Sequence, residues 1–220
     1  MLNDSSATIR HFKRFILNSN YPCLMARSVV SQGHFRMGGY GVLGSEQNVK
    51  AILSDLKGYL ESYNFDDNSF FTFIATFEED QPLSEKEFET RLWNQLQLLH
   101  ESDSEAWDDS VDANPDSNNF SFSLLGKAFY IVGLHPNSSR KARQAPSVSL
   151  VFNLHHQFEK LRELGAYEST RNTIRERDIA LQGSINPMLK DFGHGKEAPQ
   201  YSGRKVGSDW KCPFHSKISK

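Results

Sequence analysis

The chain has 220 residues and a formal net charge of −2, with 25 lysines and arginines against 27 aspartates and glutamates. This balance argues against a surface built throughout for nucleic acid, and the length fits one sizeable domain with a real core. No run of about 18 apolar residues is present, and the polar N-terminus lacks the apolar region of a signal peptide, so no membrane partner is expected.

Apolar spacing predicts helices and strands through the first half of the chain. The helix after Ser45 has a clear 3.6-residue period, and a Ser-x-x-Glu pattern opens the next helix at Ser84. The expected elements, in order, are a helix over 9–17, strand-like pieces through Val30 and over 34–43, a helix after Ser45, a strand in FFTFIATFEE and a helix in PLSEKEFETRLWNQLQLLHES.

The second half opens with an acidic stretch rich in turn formers, residues 102–119, which predicts a surface loop. Two short strands split near Gly126, a strand in SVSLVFNL, a helix closed by Gly165 and a helix in RNTIRERDIALQG follow. Residues 184–220 have little periodicity and much glycine and proline, but their aromatic side chains favour packing on the body of the protein. We therefore predict a single domain over 1–220 with an α+β fold: a central, mostly antiparallel sheet, flanking helices and a long irregular C-terminal segment.

His135 ends an apolar run that is typical of a core strand, and Pro136 restricts the backbone after it. A lone histidine is commonly a core or turn residue, but an imidazole held on a rigid strand is also a good ligand for iron or zinc. Zinc needs about three protein ligands, and the nearest histidines, His155 and His156, lie about twenty residues further on. A single axial ligand instead suits haem, which supplies its other donors itself.

The residues after His135 suit the two propionates of haem, which need cations and hydroxyl donors nearby. A phosphate or nucleotide site is the alternative for the same run, although no Walker-type loop or Gly-x-Gly-x-x-Gly is present. A solvated basic turn is the third interpretation. The candidate residues are Ser138, Ser139, Arg140, Lys141 and Arg143.

Cys23 lies in YPCLMAR, with Arg27 four residues further on. A buried cysteine is commonly a small apolar residue. The functional alternative is a thiolate ligand to haem iron, which favours O–O cleavage, and Arg27 would then lie near the cofactor. Cys23 is the second choice for the iron ligand, after His135. The other thiol, Cys212, lies in the irregular segment and suits this role less well.

Tyr201 and Arg204, in QYSGR, have two interpretations. Their side chains suit the task of fixing an irregular backbone, and they also suit contact with a substrate carboxylate or a propionate. The two distant cysteines and the polar N-terminus indicate a reducing, cytoplasmic location.

Taken together, these stretches resemble the YqcI/YcgG family. The resemblance runs in order over nearly the whole chain. Its motifs are YPC at 21–23, GLHPNSSRKAR at 133–143, LVFNLHHQFEKLR at 150–162, IRERD at 174–178, LQGSINPML at 181–189, EAPQYSGR and WKCPF.

The resemblance implies a haem enzyme, because some members of the family are haem-dependent oxygenases that hydroxylate the nitrogen of arginine or arginine-like amino acids. It therefore supports haem b at the GLHPNSSRKAR stretch and an N-hydroxylase or monooxygenase activity on an amine or guanidine. Such an enzyme uses O2 with electrons from a partner reductase, or peroxide directly. The contrasting hypothesis is a haem-binding protein without turnover, such as a carrier or gas sensor.

Overall fold

The computed structural model describes residues 6–217, and in them six α-helices surround one five-stranded sheet. Short 3₁₀ turns lie at Glu46–Asn48, Lys141–Arg143 and Ala198–Gln200. The helices are α1 (Ser6–Ile16), α2 (Leu24–Gln32), α3 (Val49–Ser62), α4 (Glu85–Ser102), α5 (His155–Glu163) and α6 (Tyr167–Gln182). The strands are β1 (Phe35–Tyr40), β2 (Thr72–Phe77), β3 (Phe122–Leu124), β4 (Lys127–Leu134) and β5 (Val148–Leu154).

The strand order is β1-β2-β5-β4-β3. Only the β1–β2 pair is parallel; β2–β5, β5–β4 and β4–β3 are antiparallel. The predicted α+β fold with a mostly antiparallel sheet is therefore confirmed. No helix within residues 6–217 combines the length and apolar character that crossing a membrane requires.

The sheet buries both of its faces, and neighbouring residues of a strand therefore enter different cores. On β2, Phe73 joins a large core with α3, α4 and the C-terminal segment, whereas Ile74 joins a smaller core with α1 and α2. On β4, Ile131 belongs to the first core and Leu134 to the second. This alternation follows from the two-residue period of a strand, and it decides which side chains can meet.

Helix α4 begins with the predicted capping box. The Ser84 hydroxyl accepts a hydrogen bond from Glu87 N, and the Glu87 carboxylate accepts one from Ser84 N, so two otherwise unpaired N–H groups are satisfied. The helix then packs directly on the backbone of β4. A Cβ added at Gly133 would lie 2.7 Å from side-chain atoms of Phe88 and Leu92, so only glycine allows this close approach.

The segment through Val30 was expected to be strand-like, and this prediction is wrong, because the segment forms α2. Two residues set its ends. The Cys23 sulfur accepts a hydrogen bond from Ala26 N at 3.4 Å and so caps the N-terminus. Gly33 ends the helix with a φ of 73°, in the left-handed region that favours glycine. These caps outweigh the strand preference of Val29 and Val30.

The irregular segment after α6 contributes to the large core. Tyr201 and Phe214 are buried there, and Trp93 stacks on Tyr201 with ring centroids 5.3 Å apart. The segment also meets the sheet, since Gly133 N on β4 donates to Tyr201 O at 2.8 Å. In the acidic loop, the Asp108 carboxylate accepts a hydrogen bond from Ala128 N at 2.9 Å, which ties the loop to β4.

Candidate functional site

A largely apolar cavity of about 310 Å³ lies between the sheet and helices α1, α2 and α6. We call it the thiol cavity, because Cys23 is the thiol that lines it. Phe12 of α1, Val30 of α2 and Leu134 of β4 form part of its apolar wall, and Arg140 is among its polar lining residues. Its size and its few polar groups are typical of sites that bind small molecules or cofactors.

Cys23 is held at the wall of this cavity because it caps α2. Burial raises the pKa of its thiol, whereas the backbone N–H groups of Ala26 and Met25 act in the opposite direction. Backbone N–H groups at a helix N-terminus stabilise a thiolate, and binding to a metal removes the thiol proton outright. The arrangement therefore provides a half-buried thiol whose neutral form is favoured and which a metal ion would convert into a thiolate ligand.

Arg140 lines the thiol cavity, and its guanidinium is bound by protein groups. Its Nη2 lies 2.6 Å from Asp178 Oδ2 and donates to Ser184 O at 2.6 Å. The ion pair joins the turn after β4 to α6 and fixes the cation beside the cavity. Arg140 is thus a firmly positioned charge that is already neutralised.

Arg143 differs from Arg140 in its partners. It donates to the carbonyl oxygens of Gly133, Tyr201 and Gln200 at 3.1, 2.8 and 2.7 Å, and these acceptors are neutral. Burial lowers the pKa of Arg143 to about 10, so the side chain remains charged at neutral pH. A buried cation that is bound only by neutral groups favours an anion in the space that it lines.

The structure places His135 on the other face of the sheet. Its ring is fully buried and stacks on Phe88 with centroids 4.3 Å apart, in the core formed by α4. Burial lowers the pKa of His135, so the imidazole is neutral. Neither ring nitrogen has a hydrogen-bond partner among the described residues. His135 is not among the residues that line the thiol cavity.

The remaining predicted site residues lie in different parts of the structure. Ser139 donates to Glu85 Oε1 at 2.7 Å, and Arg204 Nε donates to Glu89 Oε2 at 3.0 Å, so both are held by α4. Ser138 is buried and its hydroxyl accepts a hydrogen bond from Arg140 N at 3.2 Å. Of the residues expected near a cofactor, the structure brings Cys23, Arg140 and Arg143 to one cavity.

Arg27 follows Cys23 by one helical turn of α2. Its Nε is buried and has no hydrogen-bond partner in the described part of the chain. It is not among the residues that line the thiol cavity. Arg27 is therefore one helical turn from Cys23, and no contact of its side chain assigns it a role.

A second cavity of about 240 Å³ lies between β4, α6 and the C-terminal segment. We call it the carboxylate cavity, because Glu197 lines it together with Tyr130, Tyr167, Phe192 and Tyr201. It adjoins the thiol cavity. The two share lining residues that include Met25, Val132, Arg143 and Leu189.

Glu197 is a functional candidate that the sequence analysis missed. Its side chain is buried, and its Oε1 accepts hydrogen bonds from Ser121 Oγ at 3.1 Å and Tyr201 Oη at 2.5 Å. Its Oε2 has no partner among residues 6–217. Burial is the main cause that raises the pKa of Glu197 to about 8. Tyr201, expected near a cofactor or substrate, is thus the residue that positions this carboxyl group.

The chain belongs to the YqcI/YcgG family, whose model matches residues 12–215. It is 22% identical over 205 residues to YcgG of Bacillus subtilis (strain 168), an alignment that covers 88% of this chain and 80% of YcgG. It is also 22% identical over 203 residues to YqcI of the same organism, covering 89% of this chain and 76% of YqcI. Both relatives are described as uncharacterized proteins. No solved structure matches the chain.

Proposed function

We propose that the protein is a haem-dependent oxygenase that hydroxylates an amine or guanidine nitrogen of a small amino-acid-like substrate such as arginine. The observation that carries the proposal is the position of Cys23, a capped thiol on the wall of an apolar cavity. The family membership is consistent with it, because the motifs of the chain resemble a family that includes haem-dependent N-oxygenases.

The residues of the thiol cavity fit haem in three respects. Cys23 would bind the iron through its sulfur, which accepts a hydrogen bond from Ala26 N. The apolar walls suit a macrocycle. Arg143, whose hydrogen bonds go to neutral carbonyl groups, offers a charge that a propionate can neutralise. Cys23 is preferred to His135 as the ligand because Cys23 lines this cavity and His135 does not.

When bound, haem would supply the oxidising chemistry, and a thiolate ligand favours O–O cleavage. The residues of the chain would bind and orient. Cys23 would hold the iron from the N-terminus of α2, and Arg143, whose acceptors are neutral, would bind a propionate. Arg140, paired with Asp178, would hold the turn after β4 against α6. In the overall reaction one atom of O2 enters an N–H bond. The other becomes water, with two protons and two electrons from a reductase; peroxide needs no reductase.

Absorption spectroscopy tests the haem ligand. The protein purified from haem-supplied cells should show a Soret band, and its ferrous-CO complex should absorb far to the red of a histidine-ligated one. Cys23→Ser should abolish the red-shifted band, whereas His135→Ala should keep it. Cys212→Ser is the matched control, because Cys212 is the second partly buried thiol and lies outside the thiol cavity.

The opposite result, a CO complex that changes in His135→Ala and not in Cys23→Ser, would restore the histidine assignment. The absence of any Soret band would overturn the haem proposal itself. Turnover is tested separately by incubating the haem-loaded protein with arginine and a reductant and following the gain of one oxygen atom by mass spectrometry. A Soret band without product from arginine or related amines would indicate a haem carrier or sensor.

A further inference from the structure

We propose that the carboxylate cavity binds an organic monocation, a guanidinium or alkylammonium group, through the free oxygen of Glu197. The identification of this cation as the substrate rests on the proposed function. The cation site itself does not depend on haem binding. It places the substrate cation in a cavity that adjoins Cys23 through shared walls.

The hydrogen bonds of Glu197 leave its Oε2 unsatisfied in either protonation state. Oε1 accepts from the Ser121 hydroxyl and from the Tyr201 hydroxyl, which itself accepts from Phe122 N at 2.9 Å. The Ser121 hydroxyl can also donate its single proton to Phe129 O at 3.0 Å, and Ser121 Oγ can then accept a proton held on Glu197 Oε1. Oε2 has no partner among the described residues in either case. Without the proton, the carboxylate is a buried anion with an unpaired oxygen. Burying either form is costly, and a cationic donor that enters the cavity removes the cost.

Four basic side chains line this cavity, and none of them is hydrogen-bonded to Glu197 Oε2: Arg143, Arg171, Arg175 and Lys190. Arg143 donates to three carbonyl oxygens. Arg171 and Arg175, which line it, both pair with Asp191, at 2.6 and 2.9 Å. Arg162, whose charge acts to lower the pKa of Glu197, pairs with Glu159 and lies 4.1 Å from the centroid of the Tyr167 ring. None of these guanidinium groups is hydrogen-bonded to Glu197 Oε2. The partner of this oxygen is therefore expected to be a ligand.

The aromatic part of the cavity wall, next to Glu197, can stabilise a cation. The faces of aromatic rings attract guanidinium and ammonium groups, and aromatic cages are used in proteins to bind such ligands. His155, which stacks on Tyr130, brings no competing charge, because burial lowers its pKa to about 4. The aromatic side chains that line the cavity are Tyr130, Phe158, Tyr167, Phe192 and Tyr201.

Isothermal titration calorimetry on the full chain tests the site with methylguanidinium and, as a neutral molecule of similar shape, methylurea. Methylguanidinium should bind and methylurea should not. Because the cation needs the carboxylate form, its affinity should increase as the pH rises toward and past about 8, where Glu197 ionises. Glu197→Gln should weaken methylguanidinium binding about 10- to 100-fold, the loss of a hydrogen bond to a charged group.

Glu89→Gln is the matched control. Glu89 is also buried, but its oxygens accept from Ser202 and Arg204, so its replacement should leave methylguanidinium affinity unchanged. Glu197→Gln keeps the acceptor for Ser121 and Tyr201, and its circular dichroism spectrum and thermal transition should show an intact fold.

Equal binding of methylguanidinium and methylurea, or an unchanged affinity in a folded Glu197→Gln variant, would overturn the cation site. Absence of methylguanidinium binding at about pH 9, where the carboxylate form prevails, would overturn it as well. The proposed function fails on a different result, the absence of a Soret band. Cation binding that depends on Glu197 in a protein that takes up no haem would keep this inference and refute the oxygenase.

Discussion

Arg140 and Asp178 form an ion pair of 2.6 Å in which each side chain keeps only 9% of its exposure. Asp178 Oδ2 also accepts a hydrogen bond from Asn186 N at 3.2 Å. One carboxylate therefore joins the turn after β4, helix α6 and the beginning of the C-terminal segment. These three parts of the chain all contribute to the wall of the thiol cavity.

Asp178→Asn should destabilise the protein by about 3–5 kcal/mol, because it leaves the buried Arg140 cation without its counter-ion. Urea denaturation measures this loss. Asp116→Asn is the control, since its partner Lys196 is 47% exposed and Asp116 itself 63% exposed; its effect should be about 0–1 kcal/mol. Equal effects of the two substitutions would show that burial does not determine the contribution of the Arg140 pair.

Gly133→Ala should destabilise the protein by about 1–3 kcal/mol, the usual cost of overpacking a core. The added methyl group would meet Phe88 and Leu92 of α4 at 2.7 Å. Gly58→Ala is the contrasting change, because a methyl group there meets only the flexible end of Arg36, at 3.4 Å. Within helix α3 it should stabilise by about 0.5–1 kcal/mol. Thermal unfolding should show a lower transition temperature than wild type for Gly133→Ala and a higher one for Gly58→Ala.

Glu197→Gln should change how stability depends on pH. The unfolded chain loses the Glu197 proton near pH 4.5, whereas the folded protein holds it to about pH 8. Between these values the folded state binds more protons, so the wild-type free energy of unfolding decreases as pH rises. Glutamine has no such proton, and the stability of the variant relative to wild type should increase through this window. Parallel urea-denaturation profiles for the two proteins from pH 4.5 to pH 8 would contradict the assigned pKa.

Phe214→Ala should cost about 3–5 kcal/mol, as expected for a large buried aromatic side chain. Its ring lies 5.2 Å from that of His100 and 5.6 Å from that of Phe122, measured between centroids. The variant should also release the C-terminal segment to proteases, which limited proteolysis detects. Leu164→Ala, at a position that is 61% exposed, should change stability by no more than about 0.5 kcal/mol. Loss of the segment without loss of stability would show that it packs independently of the core.

The elements that local sequence determines were predicted well. The capping box at Ser84 and the glycine after α5 are encoded by a few adjacent residues, and both are present. Helix α2 shows where local reasoning failed. Val29 and Val30 suggested a strand, while the signals for a helix were the Cys23 cap and Gly33, each weak by itself. The failure lies in weighing strand propensity above two capping residues.

The candidate site was predictable only in part. Strand periodicity indicates that Leu134 and His135 point to opposite faces, but the sequence does not tell which face carries a cavity. Cys23 and Arg143 were both singled out from the sequence, yet their meeting at one cavity depends on how α2 packs on the sheet. Glu197 had no local signal at all. Its burial and its free oxygen arise from the packing of an irregular segment that has no periodicity to interpret.

The hydrogen bond from Gly133 N to Tyr201 O has a consequence for the behaviour of the protein in concentrated solution. Strand β4 continues to Leu134 after its pairing with β3 ends at Phe129, and such an exposed edge can pair with another molecule. Both backbone groups of Gly133 are occupied, the N–H by Tyr201 and the carbonyl by Arg143. The C-terminal segment and Arg143 together thus protect this part of the sheet from edge-to-edge aggregation, and a chain shortened before Tyr201 would leave Gly133 N without its partner.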